Sequence, residues 1–312
     1  TKLLVTTALE STWGRTDETL FLGEWCKIYD RKEQWVNLNY SVAPFHWDDR
    51  EKLKIDYDYL ELLHKRFLVA LTGTLNNYHN VNYSLRYWQI LLDPWLLSYL
   101  SVLFDHWECI RTLFEDENND ELETIFPNST LHTKPPYSYS EFMSEIFMDE
   151  WHYRVFSRII GTYYKDRCTI SRMDILSNNK VGDALNIGVW NHKVSWRRTI
   201  TNYIDYIFGK VTSNYKVVFL ESYFNLFSFI KINVLVGQIP RLFNKEFSSD
   251  KGIMDNKCEN YEKLSRNGVT INMKVNSLFE EFISHDIVDN IPCALVEKYK
   301  VLNDHVSKTN IK

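Results

Sequence analysis

The chain has 312 residues, of which 45% are hydrophobic and 25% charged, so it can bury a core and is not a disordered chain. The formal net charge of -5 argues against a general nucleic-acid binder, which needs a basic face. Five widely spaced cysteines without a CxxC pair indicate reduced thiols in a cytoplasmic protein. The most apolar run, 94–104, has about half of the roughly 20 residues that a membrane span needs, which favours a buried core helix.

Three apolar or β-branched runs near the start of the chain predict strands. They are "KLLVTTAL" at 2–9, "TLFLGEW" at 19–25 and, more weakly, "WVNLNY" at 35–40.

Long helices are predicted next. Apolar residues recur near 3.6 spacing from Asp49 to about Tyr78, and a second helical stretch runs from Ser84 to about Phe114, where Pro94 should kink or divide it. Ser138 with Glu141 fits a capping box for a helix that ends near 164.

The remaining segments alternate between polar loops and shorter elements. Loops are predicted at 115–123, 134–140 and 178–193, helices at 195–210, from 225 to a stop at Gly237 and Pro240, and at 277–289, and a strand at 215–224. The segment "IPCALVEKY" at 291–299 reads as another strand or a loop. A few parallel-type strands with large helical insertions predict the α/β class, with a Rossmann-like core.

Acidic and aromatic residues follow the first two predicted strands. Glu10 and Trp13 come after the first strand, and Glu24 and Trp25 after the second. Ligands of open α/β sheets bind beyond the carboxyl ends of the strands, and a carboxylate there can deprotonate an acceptor hydroxyl. The chain has no GxGxxG, so a nicotinamide site has no support.

The stretch "PFHWDDREK" at 44–52 has two interpretations. Asp48 with Glu51 fits a helix N-cap and its partner, and Asp49 suits the positive end of the helix dipole. Helix capping does not explain His46 and Trp47, and a histidine beside a helix start can act as a general base or bind a sugar hydroxyl.

Other candidates are weaker. Arg86 suits a phosphate or carboxylate, although a surface ion pair is at least as good an explanation, and Trp88 lies beside it. The DxD at 56–58 lies within a periodic helix, where its two acids point about 200° apart, so it does not predict a metal site. No metal-ligand cluster or serine nucleophile elbow is apparent, and Cys26 lacks a defined histidine partner.

Several blocks of the sequence resemble a known family when they are taken in order. They are "LVTTALESTWG", "LFLGEWCKIYDR", "PFHWDDREK", "SLRYWQILLDPWL", "LFDHWECIR" and "VGQIP". These blocks resemble bacterial transferases that are encoded in lipopolysaccharide O-antigen and other surface-polysaccharide gene clusters. The likeness covers residues 1–111 and recurs at about 215–242 and 291–298. It implies a GT-B-like glycosyltransferase, built from two Rossmann-like domains.

Members of that family continue into a glycine-rich half with a Gln-His-Gly block, which this chain lacks. The resemblance therefore implies an acceptor-type domain at 1–245, with helical insertions at about 50–210. Residues 246–312 would be a polar segment and helical linker toward a donor domain beyond this chain. We expect the chain alone to be poorly active.

The resemblance also implies partners and residue roles. The substrates would be a nucleotide-sugar donor and a glycan or lipid-linked acceptor, with no further cofactor, no metal and no nucleic acid. The protein would be cytoplasmic or peripheral at the inner membrane. We expect a base among Glu10, Glu24 and His46, and substrate contacts from the residues Trp13, Trp47, Asp48, Asp49, Arg50, Arg86, Trp88 and Gln238.

Two non-catalytic functions stay open. A glycan- or partner-binding module would need the same aromatic cleft but no base. A helical protein that docks on a membrane enzyme would show an exposed apolar patch.

Overall fold

The computed structural model describes residues 2–14, 17–116, 119, 121–127, 135–173, 226–235, 266 and 269–308. The chain divides into two compact units, one made of Thr1–Lys180 with Asn260–Lys298 and the other of Val181–Glu259 with Tyr299–Lys312. The domain boundaries expected from the sequence stay a prediction.

The first unit is built on a five-stranded parallel sheet. The strands are β1 (Lys2–Val5), β2 (Thr19–Phe21), β3 (Tyr40–Val42), β4 (Leu122–Pro127) and β5 (Cys168–Met173). Their order across the sheet is β3-β2-β1-β4-β5, and every neighbouring pair is parallel. This arrangement with large helical connections confirms the predicted α/β Rossmann-like class.

The central strands are buried on both faces. Leu3, Leu4 and Val5 of β1 and Leu20 and Phe21 of β2 are all buried. Parallel strands covered on both faces read as continuous apolar runs, which is why the sequence revealed β1 and β2. The third strand, β3, starts at Tyr40, which is the last residue of the strand predicted at 35–40. The residues before it form turns and a bend instead of a strand.

The two strands on the other side of β1 were not predicted. The acidic segment 115–123, which is predicted to be a loop, contains the first residues of β4. The edge strand β5 is only partly buried, and its polar side chains weaken any apolar pattern. Ser171 of β5 donates to the Glu123 carboxylate of β4, so the polar residues of these strands pair with each other.

The connection from β3 to β4 contains a long antiparallel helical hairpin, α1 (Arg50–His79) and α2 (Leu85–Glu115). The N-cap of α1 is Asp49, whose carboxylate accepts from the backbone N–H groups of Glu51 and Lys52 at 2.9 and 3.2 Å. The assignment of Asp48 as the N-cap was therefore wrong by one residue.

The helix α2 continues through Pro94 as one element of 31 residues, so the proline does not divide it. Proline removes one backbone hydrogen bond within the helix. Packing of the apolar face outweighs that loss, because Trp88, Leu92, Trp95, Leu96 and Tyr99 are all fully or almost fully buried.

Ser138 is confirmed as an N-cap, but the Glu141 carboxylate accepts from the Tyr137 N–H rather than from that of Ser138, and the helix is shorter than expected. Ser138 caps α3 (Tyr139–Glu145), the chain turns at 146–148, and α4 (Asp149–Tyr163) follows. No glycine or proline marks this break in the sequence, so the pattern could not reveal it.

Three further helices are described. They are α5 (Leu226–Leu235), α6 (Leu278–Asn290) and α7 (Tyr299–Lys308). The helices expected after 225 and at 277–289 are confirmed, and 291–298 is a loop with a single 3-10 turn. The predictions for 178–193, 195–210 and 215–224, and the helix stop at Gly237 and Pro240, lie outside the described residues.

Within the first unit, α6 packs on the hairpin through aromatic rings and ion pairs. Phe279 contacts Phe104 of α2 edge-on, and Arg66 of α1 binds the buried Glu280 carboxylate at 2.6 Å. Burial would raise the pKa of Glu280, but hydrogen bonds from Arg66 and the Asn276 N–H lower it. Among the described residues, no helix is long and apolar enough to cross a membrane.

Replacing Asp49 with alanine should lower the free energy of unfolding by about 0.5–2 kcal/mol, because two backbone donors of α1 lose their acceptor. The matched control is Asp48→Ala, which removes the neighbouring exposed carboxylate and should change stability by less than about 0.5 kcal/mol. Urea denaturation of both variants measures this. A larger loss for Asp48→Ala would contradict the cap assignment.

Candidate active site

The loops that follow β1, β2 and β3 lie at the carboxyl edge of the sheet, where α/β proteins bind ligands. We call residues 6–13, 22–26 and 43–47, together with Asp105, the strand-end site. Its first two loops are held by indole N–H groups that donate to strand-end carbonyls, Trp13 to Thr7 and Trp25 to Thr6, each at 3.0 Å.

The Glu10 carboxylate is bound by a cation. Arg31 donates to it at 2.8 Å and also to the Ala8 carbonyl at 3.2 Å. Trp13 is half-buried and packs edge-on against Phe21 with 5.2 Å between ring centroids. The first loop therefore places both predicted residues at the edge, but each is already engaged within the protein.

The second loop depends on a glycine. A side chain on Gly23 would overlap the Trp25 ring, which lies directly over that backbone. This close approach lets Trp25 reach the Thr6 carbonyl while its ring stays 39% exposed. Glu24 is mostly exposed and pairs with Lys27 at 2.9 Å.

The third loop carries a histidine–aspartate pair. His46 Nε2 lies 3.0 Å from Oδ1 of Asp105, which is on α2. The His46 side chain is fully buried, and in the described part of the chain its Nδ1 has no hydrogen-bond partner. His46 Nδ1 therefore makes no hydrogen bond that stabilises the described part of the fold.

Aromatic rings surround this imidazole. The rings of Phe45 and Trp47 lie 4.9 and 4.6 Å from that of His46, between centroids. Phe45 is 37% exposed and meets Trp25 edge-on at 6.3 Å. Phe45 therefore contacts both the buried His46 ring and the exposed Trp25 ring.

A network of charges lies beside the pair and joins α1 to α2. Lys52 binds the carboxylates of Asp56 and Glu108, and its distance to Glu108 is 2.6 Å. Arg111 donates two hydrogen bonds to the Glu108 carboxylate, at 2.7 and 2.8 Å. Burial would raise the pKa of Glu108, but hydrogen bonds from Arg111 and Lys52 lower it. Trp47 donates to Asp56 at 3.0 Å, which ties the third loop to this network.

The structure does not bring every predicted residue to this site. Trp88 is fully buried and donates to Asn76 at 2.8 Å, so it belongs to the core rather than to a binding surface. Arg86 is exposed at the other end of α2, roughly 28 Å from Asp105 at 1.5 Å per helical residue. Asp48 and Arg50 are exposed beside the cap formed by Asp49, and Gln238 lies outside the described residues.

Two groups of side chains have the composition of metal ligands. One is His46, Asp105 and Cys109, and the other is His46, Asp56 and Glu108. In the first group, His46 Nε2 and Asp105 Oδ1 are 3.0 Å apart and form a hydrogen bond. In the second group, the Lys52 ammonium already binds both carboxylates. Both groups are arranged as protein-internal networks.

The thiols near the site are not activated. Burial raises the pKa of Cys26 to about 12, and burial with the charges of Asp105 and Glu108 raises that of Cys109 still further. A thiolate nucleophile needs the opposite shift, so the geometry favours no thiol chemistry here.

Sequence reasoning missed Asp105, Lys52, Glu108 and Phe45. The segment "LFDHWECIR" does carry a signal, because it places five ionisable residues close together within a largely apolar helix. Buried polar residues of this kind concentrate at functional sites. What the segment lacks is any indication of which loop faces it.

With the fold and this site described, the family of the chain can be stated. A family model matches residues 2–312, and its description is LIC12162 family transferase. The chain belongs to that family, so the protein is a member of a transferase family. No curated protein and no solved structure matches the chain.

Replacing Glu108 with glutamine should destabilise the protein by about 1–3 kcal/mol near neutral pH, because Lys52 and Arg111 lose their anionic partner in a partly buried site. The folded-state pKa of Glu108 lies below the ordinary value of 4.5. Its stabilisation is therefore present above about pH 4.5 and is lost as the pH falls through the folded-state pKa.

Unfolding curves between pH 3 and 7 measure this difference. Glu115→Gln is the control, because that exposed carboxylate also binds Arg111 and should contribute less than about 1 kcal/mol. Equal effects of the two substitutions, or a difference that grows toward low pH, would contradict the assignment.

Proposed function

We propose that the protein is a glycosyltransferase of bacterial surface-polysaccharide or O-antigen biosynthesis. It would move a sugar from a nucleotide-activated donor to a glycan or lipid-linked acceptor. Membership of a transferase family and the Rossmann-like sheet support the coarse part of this proposal. The resemblance in sequence supports the pathway, the GT-B layout and a location at the cytoplasmic face of the inner membrane.

One observation carries the proposal of a catalytic site. His46 donates through Nε2 to Asp105 and keeps Nδ1 unpartnered among the described residues, at the carboxyl end of β3. A carboxylate that holds one nitrogen orients the ring and stabilises the positive charge that develops when the other nitrogen takes a proton. This is the arrangement of a general base.

The two other candidates for the base are less suitable. The carboxylate of Glu10 is held by Arg31, and that of Glu24 by Lys27. Each carboxylate is therefore already engaged in an ion pair within the protein. Glu24 is also mostly exposed to water, whereas base catalysis benefits from a site that excludes water.

The acceptor would approach across the exposed rings of Trp25 and Phe45. Phe45 packs against His46, whose side chain is fully buried, so binding must displace a neighbouring ring before a hydroxyl can reach Nδ1. An apolar sugar face can stack on such rings, while the hydroxyl groups at its edge form hydrogen bonds.

The reaction follows from these positions. His46 Nδ1 takes the proton of the acceptor hydroxyl as its oxygen bonds to the anomeric carbon of the donor. The bond from that carbon to the phosphate oxygen breaks, and the nucleotide leaves with the electron pair. The donor would be held outside the strand-end site, as the GT-B layout expects.

Replacing His46 with alanine or Asp105 with asparagine should lower turnover by about 10²–10⁴-fold, which is the usual contribution of a general base. The assay measures nucleoside diphosphate released from a panel of nucleotide-sugars in the presence of lipid-linked acceptor extracted from source cells. It uses the complete natural protein.

The hairpin offers a matched control. His64 Nε2 and Asp93 Oδ1 form a second pair at the same 3.0 Å, away from the strand ends. Asp93→Asn should therefore leave turnover within about threefold of the original if its effect is only structural. If His46→Ala and Asp105→Asn transfer sugar at the original rate, His46 is not the base. If the original protein binds acceptor but transfers no sugar from any donor, the chain is a binding module rather than a catalyst.

A further inference from the structure

A second pair of histidines lies directly behind Asp105. His106 Nε2 and His152 Nδ1, on α2 and α4, are 2.7 Å apart. The other, outer nitrogen of each ring faces a backbone carbonyl. His106 Nδ1 lies 2.7 Å from the Val102 carbonyl oxygen, and His152 Nε2 lies 2.7 Å from the Ile146 carbonyl oxygen. His106 is buried, and its ring also stacks on Phe156.

The number of protons does not match two neutral rings. A carbonyl oxygen only accepts, so each outer nitrogen must carry a hydrogen. A neutral imidazole has only one N–H. If each ring is neutral and points its N–H at its carbonyl, both inner nitrogens carry a lone pair, and the two lone pairs face each other. Three hydrogen bonds at 2.7 Å require three protons, and two neutral rings supply two.

The relative placement of the rings supports a direct hydrogen bond between them. The two ring planes are inclined by 18°, and the ring centroids are 4.9 Å apart. The distance between the centroids exceeds the distance between the two inner nitrogens by about two ring radii. The inner nitrogens therefore meet head-on, near both ring planes. A proton between them would lie on the line that joins the two lone pairs.

The surroundings of the two rings oppose a second positive charge, and two carboxylates lie near the pair. The pKa of His152 is lowered overall, because burial lowers it more than the Ile146 carbonyl, Asp149 and Asp105 raise it. Burial and the charge of His152 lower the pKa of His106 to about 3, so the two rings do not both become cations near neutral pH. The titratable groups that face the pair are Asp105 of α2 and Asp149 of α4.

We propose that His106 and His152 share one extra proton and that their single positive charge positions Asp105 for His46. Oδ2 of Asp105 lies 3.8 Å from His106 Nδ1, while Oδ1 holds His46. The cation orients the Asp105 carboxylate by attraction, so His106 and His152 are positioning residues. The shared proton stands on geometry alone, and its consequence for catalysis rests on the proposed function.

The first experiment measures nitrogen NMR of the complete protein labelled with ¹⁵N-histidine, between pH 5 and 8. A shared proton produces scalar coupling between two ring nitrogens of different residues. It also moves both nitrogen shifts to values between those of protonated and bare nitrogen. The coupling identifies the pair without any variant. Two neutral rings at every pH, coupled or not, would overturn the extra proton, because a neutral N–H···N bond gives the same coupling.

The second experiment tests the effect on Asp105 in the same spectra. His152→Phe removes the extra charge and should shift the Nε2–H resonance of His46, while that of His64, bound to Asp93, stays in place. If the first variant does not fold, His152→Gln replaces it. An unchanged His46 resonance after loss of the coupling would overturn the positioning role.

The outcomes separate the two proposals. Absence of the coupling overturns the shared proton even if the protein transfers sugar. Absence of transfer by the original protein overturns the proposed function even if the coupling is present. His152→Phe should also lower kcat while KM stays within about twofold, because a positioning residue does not contact substrate.

Discussion

The hydrogen bond between His46 and Asp105 joins the sheet to the helical hairpin, and the rest of the site depends on it. The bond spans 59 positions of sequence and closes a loop that includes all of α1 and most of α2. His46 is fully buried, so loss of Asp105 would leave it without an acceptor at considerable cost. Lys52 forms ion pairs with a carboxylate of α1 and with one of α2, and so adds a second link between the elements nearby. Together they fix the hairpin against the carboxyl edge of the sheet.

The sequence predicts the elements whose burial pattern is strong. The strands β1 and β2 and the helices α1 and α2 were found because their apolar residues repeat at the period of the structure. The strands β4 and β5 were not found, because a partly exposed edge tolerates polar residues such as Glu123 and Ser171. The break between α3 and α4 depends on tertiary contacts rather than on glycine or proline.

The candidate site was predictable only in part, for a related reason. Chain order alone places Glu10 and Glu24 at strand ends, because parallel strands present their carboxyl ends at one edge, and it places His46 beside a helix start. The partner of His46 depends on how a 31-residue helix is rotated and shifted against the sheet. No local pattern determines that register, so Asp105 and the charges around Lys52 became visible only in the fold. Trp88 shows the opposite case, in which an attractive polar–aromatic motif proves to be core.

The central claim is that His46, held by Asp105, removes a proton from the acceptor. The pH dependence of kcat/KM for sugar transfer tests it most directly, measured on the original protein, Asp105→Asn and Asp93→Asn. We predict an acidic limb governed by one group, which moves to lower pH in Asp105→Asn and stays in place in Asp93→Asn. An acidic limb that is the same in all three proteins would contradict the claim.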